Sequence, residues 1–251
     1  MLFRFVSLIA CLLVLSSVKA QDTTQYNLKL NISGRRIRGT FNQNVLATKL
    51  DFRLENKRWS LYNSTSYRYN ETNGTTIEDN WYHLTSASYH VKGLILFPTA
   101  FYHYDNNLMF RLNSRQLFGG ALSIKKRWKG QYLRLDAGAG YDITNYNGAQ
   151  FENTQWVGSE RKRRVMIVHF VHEHKFFKGK LTFFNDFFYR HSLEEQTDYF
   201  YWIAPRLSVR VFKGLSASIS YEYRLENVHL INLSSDNTTL LYGLTFYIGN
   251  Y

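Results

Sequence analysis

The chain has 251 residues, with Lys+Arg 31 against Asp+Glu 19, a formal net charge of +12, two prolines, a single cysteine and 19 each of Tyr and Phe. The cysteine is Cys11, so no intramolecular disulfide can form and the disulfide-stapled class of secreted domains is excluded. Mean hydropathy is −0.35, and beyond residue 20 no apolar run approaches the ~20 residues of a membrane-spanning helix.

The first residues read as a targeting segment. Arg4 supplies the positive start, Leu8-Ile-Ala-Cys-Leu-Leu-Val-Leu15 the apolar stretch, and Val18-Lys-Ala20 a small-residue cleavage site. The expected organisation is a signal peptide over 1–20 and a single barrel domain over 21–251. Leu8-Ile-Ala-Cys11 resembles a lipoprotein signal, but the apolar run continues past the cysteine, which argues against that reading. Removing Arg4 and Lys19 lowers the net charge from +12 to +10. An exported chain of this kind has no call on nucleic acid, and the Asn63-Ser-Thr and Asn70-Glu-Thr sequons are what an Asn/Ser/Thr-rich sequence produces by chance.

From Gln25 onward apolar and polar residues alternate, the period of a strand with one greasy face. Tyr26, Leu28, Leu30 and Ile32 come first, then Leu46, Leu50, Phe52 and Leu54. The turn Glu55-Asn-Lys-Arg58 leads to Trp59, Leu61, Thr65, Tyr67 and Tyr69, and Asn70–Asp79 is expected as a long polar loop. Trp81 to Val91 follows, then Leu94–Asp105, a turn at Asp105-Asn-Asn107, Leu108–Ile124, and Leu133 to Tyr141. After a loop from Ile143 to about Arg161 come Val165–His174, Leu181 to Arg190, Tyr199 to Val211 and Leu215 to Arg224. A loop at Glu226–Asn237 reaches the last strand, Leu240, Tyr242, Leu244, Phe246 and Ile248, which should close on Tyr26–Ser33; Tyr251 falls out of its phase.

Connections alternate between short basic turns and longer polar loops. Four turns share one pattern: Val91-Lys-Gly93, Trp128-Lys-Gly130, Phe177-Lys-Gly179 and Phe212-Lys-Gly214. Glycine there supplies the positive φ of a tight hairpin. Trp59, Trp128, Phe177 and Phe212 flank the turns, and Tyr67, Tyr69, Trp81 and Tyr199 flank the loops, making two aromatic girdles. The expected fold is all-β: a transmembrane antiparallel up-and-down β-barrel of about twelve strands, with short periplasmic turns and longer extracellular loops. A soluble barrel has the same periodicity with its faces exchanged; the girdles favour the membrane.

From about Gln25 to the end the chain resembles an outer-membrane family of unknown function whose members are called salt-induced outer membrane proteins. The resemblance rests on Trp59-Ser-Leu-Tyr-Asn63, on Arg111-Leu-Asn-Ser-Arg115 followed by Gly119-Gly120, and on Leu135-Asp-Ala-Gly-Ala-Gly-Tyr141. A Gly-Asn-Thr near the start of many members is replaced here by Asn42-Gln-Asn44. The resemblance implies a barrel in the outer membrane and transfers no catalytic residues.

Candidate chemistry is sparse. Twelve-stranded lipid hydrolases use a His-x-Ser-Asn-Gly motif; the nearest match, Arg190-His-Ser-Leu193, lacks the Ser-Asn-Gly and a group to orient the base. His172 and His174 share a face while His169 takes the other, short of the three ligands of catalytic zinc. No catalytic residue, metal site or cofactor is therefore expected. On the side opposite the greasy face lie eleven cations, Lys29, Lys49, Arg53, Arg68, Arg111, Arg115, Arg134, Arg190, Arg206, Arg210 and Arg224, against four acids, Asp51, Asp136, Asp186 and Glu222. Charge facing lipid near the midplane would cost ~2–4 kcal/mol, so these point inward. The expected solute path runs along Arg111, Arg115, Arg134, Arg206, Arg210 and Arg224, in a narrow channel or cavity for small anionic solutes. A plugged structural barrel responding to envelope stress, and a lipid hydrolase, are the alternatives. Expected partners are outer-membrane lipids, the barrel-assembly machinery and small anionic solutes; the sequence leaves the oligomeric state open.

Overall fold

The computed structural model describes residues 24–37, 42–91 and 95–249. The leader segment, the Lys92-Gly93 turn and Tyr251 lie outside the described residues. The strands are β1 Gln25–Ile37, β2 Gln43–Glu55, β3 Trp59–Thr72, β4 Thr75–Tyr89, β5 Leu96–Asn107, β6 Leu112–Trp128, β7 Gln131–Tyr146, β8 Glu160–Phe176, β9 Leu181–Ser192, β10 Tyr199–Ile203, β11 Arg206–Phe212, β12 Leu215–Glu226 and β13 Asp236–Gly249. β10 and β11 both pair with β9 on one side and β12 on the other, so they are two halves of one wall strand. The break falls at Ala204-Pro205, because proline has no N–H for the ladder. The wall therefore has twelve strands.

All neighbours are antiparallel, and the ring closes where β1 meets β13, with Leu28 opposite Ile248, Leu30 opposite Phe246 and Ile32 opposite Leu244. This is the closing pair that the apolar phase of the two strands demands. A closed ring leaves no unpaired edge, which a hydrocarbon environment would not tolerate.

Burial decides which face is which. On β13 Thr245 is fully buried while its neighbour Leu244 is 45% exposed. The same inversion holds on β1, where Lys29, Asn31 and Ser33 are buried and Ile32 is exposed. Polar residues face the lumen and apolar ones face out, the reverse of a soluble barrel. The barrel is a transmembrane one.

The basic turns form as their sequences require: Gly130 sits at φ +73 and Gly214 at φ +83. At the third turn a single 3-10 turn, Phe177–Gly179, carries Lys180 N–H back to the Phe177 carbonyl at 3.2 Å. Trp59, Trp128, Phe177 and Phe212 are all exposed beside these turns. At the other end Tyr67 packs on Trp81 with ring centres 4.7 Å apart.

Two connections differ from the sequence reading. Asn70–Asp79 is not a long loop: β3 and β4 continue to Thr72 and Thr75 and are joined by Asn73-Gly74, both at positive φ. The expected turn at Asp105–Asn107 lies inside β5, and the chain reverses instead at residues 108–111, where the Arg111 N–H reaches the Leu108 carbonyl at 3.0 Å. The reason is strand length. β6 and β8 have 17 residues each, whereas crossing the bilayer takes about 9–11. The surplus rises above the apolar band at the loop end, where polar residues suit both faces. The long connections are 147–159 and 227–235, which bind one another through the Phe151–Leu230 bridge and the Glu152 N–H to His229 carbonyl bond of 2.9 Å. With Phe110, Leu112 and Tyr146 they form an apolar cap on one side of that end.

The seam offers a sharp test. A Cβ on Gly243 would stand 2.3 Å from the Ile32 carbonyl oxygen and 2.6 Å from Ser33 Cα. Gly243→Val should destabilise the closed barrel by about 1–3 kcal/mol, read as a loss of the heat-modifiable folded band in semi-native electrophoresis.

Candidate functional site

The lumen is where chemistry-bearing side chains converge. The buried charged residues are Lys29, Arg115, Arg134, Arg161, Arg163, Arg190 and Arg206 against Asp51, Glu78, Asp105, Asp136, Asp142, Glu173, Asp186, Asp198 and Glu226, seven cations to nine acids. The cationic excess expected from sequence is absent from this buried set. The acids that restore balance were hidden in segments read as turns and loops: Asp105, Asp198, Glu226 and Glu78 belong to the strand extensions at the loop end, or adjoin them.

These charges form a network in the half of the lumen facing β5 to β10. Arg115 binds Glu226 with both nitrogens, at 2.6 and 3.0 Å, and Arg224 reaches Asp105 at 2.5 Å and Glu226 at 3.1 Å. Arg163 pairs with Asp198 at 2.6 Å and Asp142 at 3.3 Å, and Arg190 also binds Asp142. Beneath lies an apolar layer that includes Phe101, Leu117, Val165, Ile167, Phe188 and Phe200. Lower still, His169 bridges Asp136 at 3.1 Å and Asp186 at 3.0 Å, and Arg134 holds Asp136 at 2.8 Å. This half of the barrel is filled.

The facing half is not. There β1, β2, β3 and β12 contribute the small side chains Ser33, Ala47, Ser66 and Ser220, which leave a cavity that is continuous with solvent. Its charged lining is Lys49, Arg68, Arg206 and Arg224 with the single acid Glu222, and its floor includes Phe184, Phe200 and Trp202. Arg68 pairs with Glu222 and lies 3.7 Å from Glu78. Lys49 sits 3.3 Å from Asp186 and 5.1 Å from the Trp202 ring centre. Arg206 is the least satisfied: its nearest carboxylate, Asp51, is 3.9 Å away, and its Nε has no hydrogen-bond partner among the described residues. It stacks instead 5.0 Å from the centre of the Phe184 ring.

A second cavity opens at the turn end and is lined by Lys29, Arg53, Arg127, Tyr132, Glu173 and Lys175 among others. The buried Lys29–Glu173 ion pair, made between β1 and β8 across the lumen, lines this lower cavity. Phe184 lines the upper one, and the Lys29 ammonium is 5.6 Å from its ring centre. The pair therefore stands between residues that line the two cavities.

Of the six arginines expected along a solute path, the fold brings Arg206 and Arg224 into the upper cavity. Arg115 and Arg134 are buried in ion pairs. Arg111 and Arg210 stand exposed, at the two ends of the barrel. Arg111 leaves the inward phase because a bulge between Leu112 and Ser114 shifts the register and the residue itself sits in a turn at φ 49. Arg210 keeps the inward phase, opposite Ser216, but lies at the turn-end rim of β11 and is exposed there. Lys49 and Arg68 were legible as inward cations; Tyr82 and Trp202, which pack 5.0 Å apart beside them, were not singled out, since aromatics on strands were read as wall or girdle.

His172 and His174 face outward and His169 inward, as the alternation requires. Ser192 Oγ accepts the Glu194 and Glu195 N–H groups at 3.1 and 3.2 Å, and His191 Nδ1 lies 2.6 Å from the Ser192 carbonyl, so this pair caps a turn.

Breaking the buried network should be costly. Glu226→Gln leaves Arg115 and Arg224 short of a counter-charge and should lower stability by about 3–5 kcal/mol, measured by urea unfolding in lipid; the double change Arg115→Met with Glu226→Leu should recover much of that loss.

The chain belongs to the family described as "protein of unknown function, DUF481", which matches residues 22–248. No curated protein matches it. Solved structures that it is similar to include the NanC porin in a rhombohedral crystal form, with TM-score 0.49, 12% identity, and 88% of this chain and 98% of that chain covered. The KdgM porin follows with TM-score 0.40, 10% identity and coverage of 89% and 98%. The translocator domain of the autotransporter NalP from Neisseria meningitidis gives TM-score 0.41, 10% identity and coverage of 97% and 95%.

Proposed function

With a family that assigns no activity as the premise, we propose that the protein is an outer-membrane barrel that takes small anionic solutes into its loop-end cavity. The location is supported by the inside-out wall, the closed ring and the leader-like first residues, which together suit a chain exported and assembled in the outer membrane. On this reading the tight basic turns are periplasmic and the 147–159 and 227–235 connections are outside.

One observation carries the solute reading. Buried charge in the lumen as a whole is close to balanced, yet the cavity concentrates Lys49, Arg68, Arg206 and Arg224 against Glu222 alone. Arg206 in particular keeps donor capacity that no carboxylate uses at close range. Aromatic floors beneath cations let a planar or apolar solute body pack while its charge meets a guanidinium. On this reading the Lys29–Glu173 pair is the barrier below, so the cavity is a binding vestibule and becomes a path only when that pair parts. A structural barrel is the competing reading, favoured by the ion-pair network that fills half the lumen.

Bilayer recording separates the two. Lys29→Ala combined with Glu173→Ala removes the separating pair without changing net charge, and should raise single-channel conductance severalfold over the native protein with an anion-preferring reversal potential in a KCl gradient. Adding Arg206→Gln should reduce that preference. Cation preference in the opened barrel, or indifference to Arg206→Gln, would overturn the solute reading, and an opened barrel that still fails to conduct would favour the structural one.

A further inference from the structure

Among the described residues the outer wall breaks its own rule most extensively on β3 and β4, beyond the His172–Asn185 rung of β8 and β9. On β3 and β4 the residues facing outward run from the Trp59–Tyr89 pair near the turn end to the Tyr67–Trp81 pair near the loop end. These two pairs belong to the two girdles. From Trp59 to Tyr67 the strand advances eight residues, about 26 Å at ~3.3 Å per residue, or roughly 20 Å across the membrane once a tilt of 35–45° is applied. The outward residues between them lie within the apolar band. At the seam the corresponding rungs are Leu28–Ile248, Leu30–Phe246 and Ile32–Leu244. Here they are Leu61–Ala87, Asn63–Thr85 and Thr65–His83.

The four polar side chains form a closed ring. Asn63 Nδ2 donates to Thr85 Oγ1 at 2.8 Å, and Thr65 Oγ1 donates to Asn63 Oδ1 at 3.2 Å. His83 joins Thr65 through Nδ1 at 2.8 Å and Thr85 through Nε2 at 2.9 Å. Each link satisfies part of a group's capacity and leaves the rest: the second amide hydrogen of Asn63, and the remaining lone pairs of both hydroxyls, have nothing in lipid to meet. Polar groups within the membrane are expensive and act as glue between protein surfaces. A dry, lipid-facing polar ring is therefore a recognition element.

We infer that this patch is the contact through which two copies of the chain associate side by side. The occupant follows from the chemistry. The ring carries donors and acceptors in mixture, so it is complementary to itself across a two-fold axis, as an isologous interface requires. A partner at this depth must itself be a membrane wall with matching polar groups, and a second copy supplies them at the same height by construction. On β5 Tyr102 and Tyr104 stand opposite Thr85 and His83 and flank the ring, and toward the turn end Ala87 pairs with Ala100, which leaves a small-residue step beside it. The proposal is independent of what the lumen carries.

Cysteine cross-linking in native membranes tests it. In a Cys11→Ser background, Ala87→Cys leaves the polar ring intact and should give a disulfide-linked dimer in high yield. Leu207→Cys, exposed on β11 half the ring away, should not. Adding Asn63→Leu and His83→Leu to Ala87→Cys should cut the dimer yield at least tenfold, while heat modifiability shows that the barrel still folds. Equal yields from Ala87→Cys and Leu207→Cys would mean random collision and overturn the proposal. So would an absence of dimer, a yield indifferent to the leucine changes, or monomers that native mass spectrometry finds holding a lipid or another protein.

Discussion

Hydrocarbon outside the barrel admits almost no charge, so the charge of the wall strands is forced into a lumen too narrow to hydrate it freely. The rest of the structure answers that constraint. Because side chains alternate along a strand, putting Leu28, Leu30 and Ile32 in lipid necessarily puts Lys29, Asn31 and Ser33 inside. A cation inside such a space needs a counter-charge, since the attraction offsets desolvation only when the pair is close and well bonded. The Arg115–Glu226 and Arg163–Asp198 contacts meet that condition. The network is then less a device added to the barrel than the consequence of folding a charged chain inside out.

Packing explains why the cavity lies where it does. The strands from β5 to β10 send large groups inward, Phe101, Phe188, Phe200 and the arginines with their acids, and these meet across the axis and fill that side. Between their cations the strands β1 to β3 and β12 send in the small groups Ser33, Ala47, Ser66 and Ser220, which cannot fill the space up to them. An off-centre cavity results, with aromatic groups from the filled half as its floor and cations from the thin half at its rim. Lys49 and Arg206 straddle the boundary and lean on Phe184 and Trp202 rather than on acids at close range.

Much of this was legible in the sequence because one signal, the period of two, fixes the strand direction, the inward set and the seam at once. That Tyr26–Ser33 closes on the last strand with its even-numbered apolar positions in phase could be read without coordinates, and so could the face that His172 and His174 share against His169. What could not be read depends on where strands stop. Asn70 to Asp79 looks like loop because its residues are polar, yet above the apolar band both faces of a strand are wet and polarity no longer marks a turn. That misreading hid Glu78, as the loop and turn assignments hid Asp105, Asp198 and Glu226, and so produced a cationic lumen that the folded chain largely neutralises. Bulges did the remaining damage: one extra residue near Ser114 reverses the phase and carries Arg111 out of the lumen. The cavity itself is a sum of side-chain volumes across the axis, which no local pattern encodes.

The barrel obeys two rules, apolar groups outward and inward charges paired, and the places that depart from them are informative because each departure costs stability that nothing local returns. Inside, Arg206 is the departure, a buried guanidinium with its carboxylate at 3.9 Å. Outside, the most extensive is the Asn63–Thr65–His83–Thr85 ring, set in the apolar band between two girdles. They face opposite media and share no side chains, so neither explains the other. An arginine held short of its partner is free to take a ligand's charge, and a polar ring facing hydrocarbon gains most when a like surface covers it. The two exceptions therefore divide the barrel's work, one surface for a solute and one for a neighbour, and the wall between them is what the well-paired remainder of the sequence builds.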